Sequence, residues 1–210
     1  MNLQLALDRL TREECLHIID ETRGSIDWIE VGTSVIKEYG MDIVREIKER
    51  YPEKLIVTDM KTMDAGGHEA IQAFKAGADI TTVMALSSNL TILDSIEVAK
   101  EYGTRIMVDL LEVSNHERIK ELEKLGVDLV SIHIGKDKQR EGKFDVKHFS
   151  LVENCDFEVT VAGGIDLNTL PDVLAKGPDT LIVGSAITKA KNPAEVAAKM
   201  KIMMNDASRN

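Results

Sequence analysis

The segment Gly77-Ala78-Asp79-Ile80-Thr81-Thr82-Val83-Met84 holds, in miniature, the organisation of the whole chain. A helical stretch ends at Gly77, where glycine supplies the left-handed turn that a helix end needs. An aspartate follows, then a short run rich in β-branched residues that reads as a strand. The same joint recurs at Gly126-Val127-Asp128 and Gly177-Pro178-Asp179, and at Gly103 without the aspartate.

Working outward, strand-like runs fall at Leu3–Leu7, Ile26–Val31, Leu55–Thr58, Ile80–Met84, Arg105–Val108, Leu129–Ile132, Glu158–Val161 and Thr180–Val183. Between them lie segments with helical spacing, such as Ile43, Val44 and Ile47. Helix starts are legible too. Thr11 with Glu14 forms a capping box, and Asn192-Pro193 opens the last helix. Eight strand–helix units of about 26 residues each imply a parallel sheet, and most simply a single-domain (β/α)8 TIM barrel spanning residues 1–210. The rival is an open doubly wound sheet, but no GxGxxG follows the first strand. The polar stretch from Gly135 to Lys147 reads as a functional or mobile loop.

Composition narrows the function. Of 210 residues, 43% are hydrophobic and 30% charged, a globular balance that excludes a disordered or fibrous chain. Lys and Arg number 26 against 36 Asp and Glu, for a net charge of −10, which disfavours nucleic-acid binding. Cys15 and Cys155 are far apart in sequence and suggest a reducing compartment. With no basic leader and no apolar run of membrane length, the expectation is a soluble, cytoplasmic protein that engages no membrane.

In a (β/α)8 barrel the active site lies at the carboxyl ends of the strands. The sequence puts Asp8, Glu30, Asp59, Asp109 and His133 at five such ends. Any one of them could be a helix cap or a solvated turn residue, but five converging on one mouth read as a site. Thr11 and Thr33 offer local capping in place of Asp8 and Glu30. Strand periodicity puts Lys61 on the same side as Asp59, where each would hold the other ionised. Asp64 lies just beyond, near the next helix start. Glu30 and Asp59, on adjacent strands, suit a hard divalent ion such as Mg²⁺. Gly163-Gly164 and Gly184-Ser185 follow the last two strands, the usual phosphate cradle of this fold, and imply a phosphorylated substrate. His17, His68, His116 and His148 read as surface or packing residues, and no Cys/His spacing suggests zinc.

Leu3-Gln4-Leu5-Ala6-Leu7-Asp8, Ile29-Glu30-Val31-Gly32-Thr33, Asp59-x-Lys61-x-x-Asp64-Ala65-Gly66-Gly67, Met107-Val108-Asp109, Val161-Ala162-Gly163-Gly164-Ile165 and Val183-Gly184-Ser185-Ala186-Ile187-Thr188 together form a recognisable set. On these residues the sequence resembles the 3-hexulose-6-phosphate synthases, and more broadly the orotidine 5′-monophosphate decarboxylase suprafamily, over nearly the whole chain. The 3-keto-L-gulonate 6-phosphate decarboxylases are the nearest alternative. They tend to carry Glu at Asp109 and Arg at Lys136 and Ser185. The synthases usually read His-Thr-Gly where this chain has His133-Ile134-Gly135.

The resemblance implies a Mg²⁺-dependent aldol reaction of D-ribulose 5-phosphate with formaldehyde, giving D-arabino-3-hexulose 6-phosphate through an enediolate. It further implies metal ligation by Glu30 and Asp59, with Lys61 beside them. His133 would move the C1 proton, and Asp8 and Asp109 would orient substrate hydroxyls or Lys61. Gly163, Gly164, Gly184 and Ser185 would hold the phosphate, and Lys136 is a candidate substrate contact. Asp64 would reach into a neighbouring subunit's site, which implies a homodimer with shared active sites. A non-catalytic sugar-phosphate-binding barrel is the expectation from a different class.

Overall fold

The computed structural model describes residues 1–140 and 146–208. Strand β1 (Asn2–Leu7) leads to helix α1 (Arg12–Thr22), and β2 (Trp28–Val31) to α2 (Thr33–Tyr39) and α3 (Asp42–Arg50). β3 (Leu55–Thr62) precedes α4 (Gly66–Lys75), β4 (Ile80–Met84) precedes α5 (Asn89–Tyr102), and β5 (Arg105–Asp109) precedes α6 (His116–Lys124). After β6 (Leu129–His133) come short 3-10 turns at Lys138–Arg140 and Val146–Val152. The polar stretch expected to act as a loop, 135–147, is therefore turned at both ends, and its centre, 141–145, lies outside the described residues. β7 (Glu158–Ala162) leads to α7 (Leu170–Leu174), and β8 (Thr180–Val183) to α8 (Ser185–Thr188) and α9 (Pro193–Ala207).

All eight strands are parallel and pair in sequence order, and β8 closes on β1 to complete the barrel. The open-sheet alternative is thereby excluded. The joints explain the repeated motif. Gly77, Gly103, Gly126 and Gly177 all have positive φ, so each helix stops where the sequence places its glycine. The joint aspartates bind the foot of the preceding strand. Asp79 Oδ2 accepts the Ile56 N–H at 2.8 Å and the Lys48 amine at 2.8 Å. Asp179 Oδ2 accepts the Val159 N–H at 2.8 Å, and Asp27 Oδ2 accepts the Leu3 N–H at 2.7 Å.

Two apolar layers hold the barrel. The larger fills the space between strands and helices, with Leu3, Leu5, Leu7, Ile29, Ile56, Val108 and Leu181 from the strands against Ile19, Ile43, Ile47, Ile92 and Met200. Each such side chain, fully buried, contributes about 1.5–3 kcal/mol. The smaller layer plugs the barrel with Trp28, Val57, Ile80, Met107, Leu129, Ala162 and Ile182. Side chains alternate along a strand, so the residues two places on from Trp28, Val57, Ile80 and Met107 also point inward, above the plug. Those residues are Glu30, Asp59, Thr82 and Asp109. His133 follows Leu129 by four places and shares its face. At the opposite end, Arg105 and Glu158 form an ion pair at 2.7 Å.

One strand departs from the sequence reading. β3 does not end at Asp59 but runs on to Thr62, and its pairing with β4 shifts between Thr58 and Thr62. Lys61 sits in this irregularity with φ 50°. Asp59 and Lys61 do meet, but through a bulge that re-aims the lysine rather than through a regular pleat.

Candidate active site

Asp109, 2% exposed, is the hub of the pit above the apolar plug. Its Oδ2 accepts the Lys61 amine at 2.8 Å and faces His133 Nδ1 at 2.9 Å, and its Oδ1 accepts the Leu111 N–H at 2.9 Å. Lys61 also lies 3.0 Å from Asp59 Oδ2. Asp59 is fixed from two more directions. The Thr82 hydroxyl donates to its Oδ1 at 2.8 Å while accepting the Lys61 backbone N–H at 2.9 Å. The Thr33 hydroxyl lies 2.8 Å from Asp59 Oδ2 and 2.8 Å from its backbone oxygen. Glu30 Oε2 accepts the Gln4 side-chain N–H at 2.6 Å.

The charges follow from these contacts. Burial works against the Lys61 ammonium, but Asp59 and then Asp109 outweigh it, so the amine is held above its ordinary value. Burial likewise opposes the Asp109 carboxylate. The hydrogen bond and charge of His133, followed by Lys61, bring it down to about 2. Burial pulls His133 down, yet the hydrogen bond and charge of Asp109 raise it net above an ordinary histidine. Glu30 moves the other way. Burial and then the charge of Asp59 push it up to about 8, against Gln4 and Lys61.

With Nδ1 turned to Asp109, that nitrogen carries the donated proton and Nε2 is left as the imidazole's reacting atom. The pit thus combines a fixed ammonium, an oriented imidazole and two further carboxylates, Glu30 and Asp59. Those two could ligate a hard cation. Among the described residues, no group of three or more His, Cys, Asp or Glu side chains gathers as a metal cage.

The structure brings together Glu30, Asp59, Lys61, Asp109 and His133 of the residues singled out from sequence. Gly163-Gly164 and Gly184-Ser185 follow the neighbouring strands β7 and β8, so the two glycine turns are adjacent at the same end. Gly163 has φ 110°, and a Cβ there would collide with the Ile134 carbonyl oxygen, so only glycine fits. Three residues stand apart. Asp8 is exposed, and its Oδ1 accepts the Ser34 N–H at 3.2 Å and the Ser34 hydroxyl. It binds the start of α2, and the Lys61 amine is taken by Asp59 and Asp109. Asp64 is exposed past the end of β3. Lys136 is exposed and donates to Gln139 Oε1 at 3.1 Å. His17, His68, His116 and His148 are all exposed.

Sequence reasoning misses Gln4, Thr33 and Thr82 as parts of the site. Thr33 reads as a helix cap, but its hydroxyl serves Asp59 instead. A partial signal exists for Thr82, the polar residue on a β4 face otherwise formed by Ile80 and Met84, whereas Gln4 shares its face of β1 with Asn2.

Residues 1–200 match the orotidine 5′-phosphate decarboxylase / HUMPS family. A protein named 3-hexulose-6-phosphate synthase from Bacillus subtilis (strain 168) is 42% identical over 204 residues, covering 96% of this chain and 97% of that protein. The crystal structure of 3-hexulose-6-phosphate synthase from Salmonella typhimurium superposes with a TM-score of 0.96 at 38% identity, covering 99% of this chain and 100% of that one. A crystal structure of KGPDC from Streptococcus mutans superposes with a TM-score of 0.92 at 27% identity, covering 98% of each chain. The chain belongs to the orotidine 5′-phosphate decarboxylase / HUMPS family.

Proposed function

We propose that this chain is an aldehyde-lyase of the 3-hexulose-6-phosphate synthase type. It joins D-ribulose 5-phosphate to formaldehyde in a Mg²⁺-dependent aldol reaction, giving D-arabino-3-hexulose 6-phosphate. The observation that carries this reading is the junction at Asp109 Oδ2, which meets both Lys61 Nζ and His133 Nδ1.

In this reading His133 Nε2 takes a proton from C1 of the ketose phosphate, leaving an enediolate. The C1 electron pair then attacks the formaldehyde carbon, a C–C bond forms as the C=O π bond breaks, and the resulting alkoxide gains the proton that His133 took from C1. The Lys61 ammonium, held by Asp59 and Asp109, faces the developing negative charge without having to reorganise. Asp109 keeps the imidazole in the tautomer that leaves Nε2 free. Glycine turns after β7 and β8 offer backbone N–H groups to the substrate phosphate, with Ser185 beside them.

Glu30 and Asp59 fit a divalent cation. Burial and then the charge of Asp59 push Glu30 up to about 8, a cost that a divalent ion held by the two carboxylates would relieve. Bound Mg²⁺ would supply positive charge against the enediolate oxygens. Asp64 would act across a homodimer interface. It is exposed beside exposed Met63, and Leu86 and Leu90 are exposed as well. A cytoplasmic location completes the proposal. No helix among the described residues is long and apolar enough to cross a membrane.

The competing reading is 3-keto-L-gulonate 6-phosphate decarboxylase, which reaches a related enediolate by CO₂ loss. Asp109 and Ser185, and the names of the relatives at 35–42% identity, favour the synthase. The deciding experiment compares kcat/KM for formaldehyde-dependent loss of ribulose 5-phosphate with that for CO₂ release from 3-keto-L-gulonate 6-phosphate. Faster CO₂ release reverses the assignment. Sedimentation of the purified chain as a monomer at assay concentration would remove the shared site.

A further inference from the structure

Gln4 lies in β1 with its side chain in the barrel interior and is 0% exposed. Its strand partners are Trp28 of β2 and Ile182 of β8, both members of the apolar plug. Its amide is only half used. Nε2 donates to Glu30 Oε2 at 2.6 Å, whereas Oε1 has no hydrogen-bond partner. A buried acceptor without a donor calls for an explanation. Packing does not provide one, because methionine would fill the same slender space without an unpartnered amide oxygen. What a methionine could not do is donate to Glu30.

Asp59 shows what such donation achieves. Its carboxylate is fixed by the Thr82 and Thr33 hydroxyls as well as by Lys61. Glu30 has a longer and freer side chain, and among the described residues Gln4 is its hydrogen-bond partner. We infer that Gln4 is a positioning residue, whose side-chain N–H pins one oxygen of Glu30 so that the other is presented to a divalent cation. The inference rests on the Mg²⁺ reading of Glu30 and Asp59. Partners of this kind orient a ligating carboxylate, and their loss weakens metal binding while the ligand itself remains.

The test uses the full-length protein stripped with chelator, with Mn²⁺ as the probe. Free Mn²⁺ is followed by electron paramagnetic resonance, and the metal-free melting midpoint is recorded alongside. Wild type is expected to bind Mn²⁺ and to release it to excess Mg²⁺. Gln4→Met should melt close to wild type without metal, yet bind Mn²⁺ about 10–100-fold more weakly. Gln4→Leu is the second variant and should behave alike. Variants that bind as tightly as wild type overturn the role of Gln4 and leave the cation reading intact. Wild type that binds no Mn²⁺ overturns both. If neither variant folds, Gln4 is a determinant of the fold rather than of the site, and the inference is overturned.

Discussion

His133 Nδ1 lies 2.9 Å from Asp109 Oδ2, the same oxygen that receives the Lys61 amine at 2.8 Å. One carboxylate oxygen therefore orients both the base and the ammonium of the pit. Moving either partner disturbs the other, which couples proton transfer to charge stabilisation through Asp109.

Replacing His133 by Asn removes the proton acceptor while leaving the phosphate turns untouched. Solvent exchange of the substrate C1 proton should fall by about 10²–10⁴-fold. Binding of ribulose 5-phosphate, measured calorimetrically, should change little. Equal losses in exchange and binding would assign His133 to binding.

Asp109 also sets the pH at which His133 works. The imidazole must be neutral to accept a proton, so kcat/KM should rise with pH through the His133 midpoint. Burial lowers that midpoint, but the hydrogen bond and charge of Asp109 raise it net above the ordinary value. Asp109→Asn should therefore shift the rising limb of a kcat/KM–pH profile toward acid, along with an overall loss of rate. An unmoved limb would mean that another group is the base.

Lys61 stands between two buried carboxylates in β3 rather than at a solvated strand end. Lys61→Ala should fold, but with a lower melting midpoint, because Asp59 and Asp109 are left as neighbouring buried anions. Its kcat/KM should fall by at least about 10²-fold. Activity within a fewfold of wild type, measured by ribulose 5-phosphate consumption, would remove Lys61 from the chemistry.

Glu30 makes the metal-free barrel sensitive to alkali. Its folded value of about 8 lies above the ordinary 4.5, through burial and then the charge of Asp59. A group raised on folding contributes stability that is complete below 4.5 and is lost as pH climbs through 8. In chelator, the melting midpoint should fall across that window. Glu30→Gln should flatten the fall, and Mg²⁺ should restore wild type most at the alkaline end. Melting curves in chelator that stay the same from mild acid to mild alkali would contradict the buried repulsion.

Asp79 provides a control away from the pit. It accepts the Ile56 N–H and the Lys48 amine at the foot of β3. Asp79→Ala should cost about 1–3 kcal/mol in urea unfolding and leave KM unchanged.

The fold is legible in the sequence because two periodicities and a repeated joint agree. Runs such as Ile80–Met84 alternate with helical spacing, and glycine marks helix ends, so all eight strands fall where the pattern puts them. The extension of β3 is not legible. Asp59-Met60-Lys61-Thr62 lacks an apolar alternation, and a bulge at Lys61 leaves no trace in composition. In the site, the strand-end rule finds Glu30, Asp59, Asp109 and His133, because ionisable groups in that place are conspicuous. It also offers Asp8, whose carboxylate binds Ser34 at the start of α2, since a rim carboxylate and a helix cap look alike in sequence. Thr82 and Gln4 escape because an inward threonine or glutamine declares its role only when its partner is seen.

Proton exchange at C1 of D-ribulose 5-phosphate in D₂O, followed by nuclear magnetic resonance without formaldehyde, tests the enediolate chemistry most directly. Wild type with Mg²⁺ should incorporate deuterium at C1, and chelation or His133→Asn should nearly abolish the incorporation. Exchange that persists undiminished in chelator, or formaldehyde addition without any exchange at C1, would contradict an enediolate held in this pit.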